Sequence, residues 1–161
     1  MATPKRTAAA RTTVPSTAAT KKPGIRLLAK VPLFESLSQA HLRQIAALAE
    51  EITYSPGRMI VRAGTPGQAF YVIVEGEAKV LRGTIASAQG TWNLGPGGFF
   101  GELALLDGGP RTASVVAETP LTTIRIERAS FRDMLRQEPD IALRLLEGMA
   151  RRARDLMGHS V

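Results

Sequence analysis

Phe99-Phe100-Gly101-Glu102-Leu103-Ala104-Leu105-Leu106-Asp107-Gly108-Gly109-Pro110-Arg111-Thr112-Ala113-Ser114 is the stretch on which the reading of this chain turns. A tight glycine turn opens into a short apolar helix, Gly108-Gly109-Pro110 turns the chain again, and one arginine enters a strand. A glycine ahead of a short helix lets backbone N–H groups come close to a bound anion. An arginine arriving from the other side offers a planar donor fork that matches phosphate oxygens. The glutamate beside the glycine can accept hydrogen bonds from sugar hydroxyls. Together these groups suit a ribose carrying a cyclic phosphate. Taken singly, each is also what a β-to-helix junction and a solvated arginine would give, so the combination at this spacing carries the reading.

Outward from this stretch the chain divides by periodicity. From Met59 to Ile126 it reads as short extended runs broken by glycine: Met59–Arg62, Phe70–Val74, Glu77–Leu81, Thr91–Leu94, Ala113–Ala117 and Leu121–Ile126. Short strands with frequent turns predict a small β-barrel or roll. Before them, Leu27, Leu28 and Val31 suggest a short helical lead-in. Ser38 is a good N-cap for a helix to about Glu51, with Leu42, Ile45, Leu48 and Ala49 on one face. After them, Phe131, Met134 and Leu135 mark one short helix. A second starts at Pro139, with Ile141, Ala142, Leu145, Leu146, Met149, Ala153 and Leu156 as its apolar stripe. The expected fold is mainly β within an α+β class: an antiparallel, jelly-roll-like β-roll flanked by N-terminal helices and a C-terminal helix pair.

Composition bounds the function classes. The chain of 161 residues suits one domain, and 44% hydrophobic residues can bury a core. It has no cysteine, which removes disulfides, thiolate nucleophiles and thiolate metal sites. The net charge of +7 is uneven: six of the 21 basic residues and none of the 14 acids fall before Leu27, leaving the rest of the chain at +1. Residues 1–24 are mainly Ala, Thr, Pro, Lys and Arg, and read as a disordered basic tail ahead of a domain over 25–161. The tail lacks the apolar core of a secretory signal, and its prolines spoil an amphipathic transit helix. A weak, salt-dependent tether to nucleic acid or another anionic partner stays open for it.

Enzymatic readings find little support. Gly95-Pro96-Gly97-Gly98-Phe99-Phe100 ends in Phe where a dinucleotide fingerprint needs glycine, and no phosphate-loop lysine motif occurs. His41 and His159 lie at opposite ends, His41 reading as a surface residue, and no cluster suggests a metal. No Gly-x-Ser-x-Gly elbow is present.

The decisive stretch closely resembles the phosphate-binding cassette of the cyclic-nucleotide-binding domain family, which includes protein kinase A regulatory subunits, catabolite activator proteins and cyclic-nucleotide-gated channels. Phe100 through Leu105 and Pro110 through Ala113 match its motif without departure. Val31-Pro32-Leu33-Phe34 is similar to the family's N-terminal helical lead-in, Phe70 through Glu77 to its central strand and glycine turn, and Leu94-Gly95-Pro96-Gly97 to the approach to the cassette. Arg82 to Asn93, where the family has strand–turn–strand, is rich in small residues and holds Trp92, so the purine-facing wall matches least well.

The resemblance implies a receptor for cyclic AMP or cyclic GMP, with cyclic AMP narrowly favoured, and no cofactor, metal or catalytic residue. It assigns Glu102 to the ribose 2′-hydroxyl and Arg111 to the cyclic phosphate. Phe100, Gly101, Leu103, Ala104 and Ala113 would line the ligand, largely through their backbones. The Thr112 hydroxyl would reach the phosphate or the 2-amino group of guanine. Leu105 in the cassette and Phe131 in the hinge would relay binding to the helix from Pro139 to about Met157. That helix would close over the base with Leu156, Met157, Arg151, Arg152 or Arg154 near the purine. A chain stopping at Val161 leaves no room for a helix-turn-helix, so the expectation is a stand-alone cytoplasmic sensor acting on a partner protein. Two alternatives stay open: an interaction module that keeps the fold without binding nucleotide, and a nucleic-acid-tethered protein that uses the tail.

Overall fold

Along Phe70-Tyr71-Val72-Ile73 successive side chains point to opposite faces, as in any strand, yet all four are buried. A strand buried on both faces needs a layer on each side, and the fold supplies a second sheet on one and helices on the other. The structure, a computed structural model, describes residues 24–83 and 90–158. Apart from Gly24, the basic segment expected over residues 1–24 lies outside the described residues, as does His159.

Helix α1 (Ile25–Ala29), a 3-10 turn (Pro32–Phe34) and α2 (Gln39–Leu48) lead into the strands. Among the described residues these are β1 (Glu50–Tyr54), β2 (Met59–Val61), β3 (Ala69–Glu75), β4 (Ala78–Arg82), β5 (Gly90–Leu94), β6 (Phe99–Phe100), β7 (Ala113–Ala117) and β8 (Leu121–Glu127). Helix α3 (Ala104–Asp107) interrupts them between β6 and β7, and α4 (Arg128–Gln137) and α5 (Pro139–Leu156) follow β8. The strands form two antiparallel four-stranded sheets, in the orders β1-β8-β3-β6 and β2-β7-β4-β5. This is the β-roll with helices at both ends that the sequence led us to expect.

Two apolar clusters hold it together. Ile73, Ala78, Val80, Val115, Ala117 and Leu121 meet inside the roll. Phe34, Phe70, Val72, Leu105, Ile124, Ile126, Phe131 and Ile141 belong to a larger cluster joining the first sheet to the helices. Phe34 anchors the latter, with its ring edge-on to Phe70 at 5.9 Å and tilted against Phe131 at 6.2 Å. Ser38 caps α2 as expected, its hydroxyl accepting from His41 N at 3.2 Å. Pro139 occupies the first turn of α5, and Phe131 and Met134 are the buried residues of α4.

Three expectations need correcting. Helix α2 stops at Leu48 and not near Glu51, because Glu50–Tyr54 forms β1 and pairs with β8, Ile52 opposite Thr123. A ladder to a strand some seventy residues on outweighs the local helical preference of Ala and Glu. Strand β6 was not expected either; its two residues pair only with Tyr71 and Val72. The apolar stripe of α5 is buried only in its first half, at Ile141 and Leu145, while Leu146, Ala153 and Leu156 are exposed. There α5 packs on α4 and the 3-10 turn, and its later turns run past them.

The β3–β4 turn requires its glycine. Gly76 sits at φ +92°, and a Cβ there would overlap the Pro120 carbonyl oxygen and crowd Leu121. Gly76→Ala is expected to destabilise the fold by at least about 1–2 kcal/mol, the cost of a left-handed backbone for an ordinary residue. Chemical denaturation reads it: the midpoint falls with an unchanged slope, and an unaltered midpoint would show that the turn relaxes freely.

Candidate functional site

The cassette stretch spans the gap between the two sheets, leaving the first at β6 and joining the second at β7. Its far end is fixed by the loop between β2 and β3. Arg111 N donates to Thr65 O and Gly64 N donates to Arg111 O, both at 2.8 Å, and Gly67 N donates to Gly109 O at 3.0 Å. Pro66 and Pro110 form a β-bridge beside them. Ser114, fully buried, accepts from Ala63 N through its hydroxyl at 2.9 Å. The backbone of Arg111 is therefore held from both sides, whatever its side chain meets.

The side chain turns back towards β6. Nη2 donates to the Ala69 carbonyl at 2.5 Å, while Nη1 is buried with no hydrogen-bond partner among the described residues. Gly101 sits at φ +82°, and a Cβ there would overlap that same Nη1, so glycine is what lets the guanidinium lie against the turn. No carboxylate among the described residues pairs with Arg111. Burial pulls its pKa below the usual arginine value; Tyr71 opposes this and the positive charge of Arg125 adds to it. The result is a half-buried cation with a free donor.

A row of paired residues flanks it across the first sheet: Phe100, Tyr71, Arg125 and Glu50, one from each strand. Tyr71 stacks on Phe100 at 4.8 Å, its ring lies 6.0 Å from the Arg111 guanidinium carbon, and its hydroxyl accepts from Arg125 Nε at 3.3 Å. Arg125 Nη1 pairs with Glu127 at 2.7 Å and reaches Glu50 at 4.0 Å. Burial alone would lower the pKa of Arg125, but its bonds to Glu127 and Tyr71 outweigh that and raise it.

Glu102 follows Gly101. Its side chain is 15% exposed; Oε1 lies 3.5 Å from Arg152 Nη2 on α5, and Oε2 is buried without a partner. Among the described residues no backbone carbonyl accepts from the amides of Gly101, Glu102 or Leu103; the local bonds begin at Leu105 N to Glu102 O. The structure thus brings Gly101, Glu102 and Arg111 to one place. Ala104 is buried beneath them, the Leu103 side chain is exposed, Ala113 is half-buried at the start of β7, and Thr112 is exposed. Leu105 and Phe131 are both fully buried in the helix-side cluster.

Some of what surrounds this place was not expected. The Ala69 carbonyl, Tyr71 and Arg125 were missed; the available signal was Arg125 itself, a cation at an inward register position opposite Tyr71. Of the α5 residues expected over the ligand, Leu156 and Met157 are exposed, Arg151 donates to Ser36 Oγ at 2.9 Å, and Arg152 reaches Glu102. Strand β4 ends at Arg82 and β5 begins at Gly90, with Trp92 opposite Val80 and 45% exposed. Residues 84–89 of this expected strand–turn–strand lie outside the described residues. His41, expected at the surface, is half-buried, with Nδ1 enclosed and unpartnered. Among the described residues no group of three or more His, Cys, Asp or Glu could hold a metal, and no helix is long and apolar enough to cross a membrane.

Comparison with known proteins places this geometry in context. The family model described as the cyclic nucleotide-binding domain matches residues 51–138. The chain is 39% identical over 117 residues to a cAMP-dependent protein kinase regulatory subunit of Aspergillus fumigatus, covering 73% of this chain and 28% of that protein. It is 37% identical over 117 residues to a cyclic nucleotide-gated potassium channel of Mesorhizobium japonicum, covering 73% of this chain and 31% of that protein. It thus spans less than a third of the length of these curated relatives. The crystal structure of the N-terminal domain of a transcriptional regulator from Streptomyces coelicolor superposes with a TM-score of 0.73 at 31% identity, covering 81% of this chain and 94% of that one.

The polar row makes a prediction through Tyr54, which lies next to Tyr71. Burial, reinforced by Tyr71, pushes the Tyr54 pKa up to about 12. A raised acid pKa means that the folded state holds the proton more tightly, so the contribution is complete below the unfolded value near ~10 and is lost as pH rises through the folded one. Stability should therefore fall between roughly pH 10 and 12. Tyr54→Phe should flatten that part of the profile and remove a tyrosinate absorbance step at about pH 12. A Tyr54 step at the ordinary tyrosine value would contradict the burial described.

Proposed function

The chain belongs to the cyclic nucleotide-binding domain family, and on that premise we propose that it is a receptor for a cyclic nucleotide, cyclic AMP in preference to cyclic GMP, bound where Gly101, Glu102 and Arg111 converge. One observation supports this above the others: Arg111 is a half-buried cation with one N–H donor unanswered and no carboxylate partner among the described residues. A phosphate oxygen suits that donor, and a planar guanidinium suits two of them. The cyclic phosphate then lies between Arg111 and the amides of Gly101, Glu102 and Leu103, with Ala104 and Ala113 closing the backbone around it. Glu102 accepts the ribose 2′-hydroxyl, Phe100 stays stacked on Tyr71 at the pocket wall, and Thr112 offers a hydroxyl to the phosphate or to a guanine 2-amino group.

The proposal extends to output. Nucleotide draws in the cassette, and the change passes from Leu105 to Phe131 and on to α5, whose altered surface a partner protein reads. Two features support such a relay. Leu105 and Phe131 share one fully buried cluster, where a shift of one must be met by the other. Arg132 of α4 also donates to the carbonyl of Leu106 at 3.2 Å, tying α4 to the cassette helix. The ligand shifts this arrangement only in so far as it binds one state better than the other.

Calorimetric titration with cyclic AMP and cyclic GMP tests the pocket. Arg111→Ala is expected to keep its circular dichroism and lose roughly 2–5 kcal/mol of binding free energy, the usual result of truncating one side of a buried charged contact. Titration curves unchanged from wild type would remove Arg111 from the site. Hydrogen exchange tests the relay. Added nucleotide should raise protection both over residues 100–114 and across Ala142–Met157; a rise confined to the first segment would leave a binding module without output through α5.

A further inference from the structure

Arg152, expected among the residues near the purine, reaches the carboxylate of Glu102 instead. It projects from α5 to place Nη2 3.5 Å from Glu102 Oε1, against a carboxylate that is largely shielded from water. Its position on the helix is well determined. One turn earlier Gly148 packs against the Ser36 hydroxyl, and the neighbouring Arg151 donates to that same oxygen at 2.9 Å. Ser36 lies two residues after Phe34, just past the 3-10 turn, so this stretch of α5 is pinned to the core just before Arg152 leaves it.

The two carboxylate oxygens of Glu102 stand in different situations. Oε1 faces a cation, and Oε2 is buried with no partner among the described residues. A carboxylate held by one oxygen has fewer orientations open to it, and its second oxygen is an acceptor that a hydroxyl can satisfy. We propose that Arg152 is a positioning residue for ribose recognition: by holding Oε1 from α5 it fixes Glu102 so that Oε2 takes the 2′-hydroxyl of the bound nucleotide. This inference rests on the cyclic nucleotide reading of the pocket. Discrimination between a ribonucleotide and its 2′-deoxy form then depends on where α5 sits, and the ribose is the part of the ligand to which α5 is directly coupled.

The test is a cycle between Arg152 and the hydroxyl itself. The full chain, Arg152→Ala and Arg152→Lys are each titrated by calorimetry with cyclic AMP and with 2′-deoxy-cyclic AMP. Wild type should prefer cyclic AMP by roughly tenfold or more, the size of one hydrogen bond to a charged acceptor. Arg152→Ala should lose most of that preference by weakening cyclic AMP alone, with the deoxy ligand unchanged within about twofold. Arg152→Lys, which keeps the charge, should restore much of it. Equal weakening of both ligands would show that Arg152 only holds α5 in place. Tighter cyclic AMP binding by Arg152→Ala would show that it blocks the carboxylate. Either result, or an unchanged preference, overturns the inference while leaving the pocket standing. Wild type that binds neither ligand overturns the pocket reading and this inference with it.

Discussion

A guanidinium held in the wall of the roll by one backbone carbonyl is the constraint around which the site is arranged. A buried donor left unanswered costs about 1–3 kcal/mol, and more when it is charged. Arg111 accepts that cost on Nη1 while Nη2 is bonded to Ala69. The surroundings reduce the cost without cancelling it: the face of Tyr71 lies beside the guanidinium, and Gly101 offers no Cβ to push it outward. Arg125, the nearby second cation, pairs with Glu127, yet its charge still opposes that of Arg111. What remains is a fixed positive group with spare hydrogen-bonding capacity.

The placement of this group depends on long-range closure. The cassette belongs to neither sheet; it leaves one at Phe100 and joins the other at Ala113. Its geometry comes from groups far off in sequence: Gly64, Thr65 and Gly67 on one side, Ala69 and Tyr71 on another, and Arg152 on the last helix. These contacts join segments distant in sequence, so the site depends on long-range pairing and not on the local preferences of the cassette.

This division explains how much could be read from the sequence. The meeting of Gly101, Glu102 and Arg111 was legible because these residue types stand at fixed short spacing: a glycine that must turn, a carboxylate next to it, an arginine after a second turn. The roll was legible from short extended runs with glycines between them. What escaped was what only packing decides. Glu50 and Glu51 read as the end of a helix and instead begin β1, because β8 lies beside them. Phe99-Phe100 is too short to announce itself and pairs because Tyr71 and Val72 offer an open edge. Leu146 and Leu156 share the periodicity of Ile141 and Leu145, but α4 and the 3-10 turn cover only the first half of α5. Arg152 could not be singled out among Arg151, Arg152 and Arg154, since the choice depends on the rotation of α5 about its axis, which Gly148 and Ser36 set.

The two hydrogen bonds that join the Arg111 main chain to Thr65 and Gly64 bear on how inherited variation in this chain would read out. These loop residues fix the main chain of Arg111 ahead of β7, so harm to them would resemble harm to the arginine. On the proposed reading of the pocket, lesions that weaken binding would come from two regions over forty residues apart in sequence, one of them tied to Arg111 through main-chain atoms alone. Sorting such alleles by the type of amino acid lost would separate them wrongly, whereas sorting them by whether the Arg111 peptide keeps both of its hydrogen bonds would place them in one class.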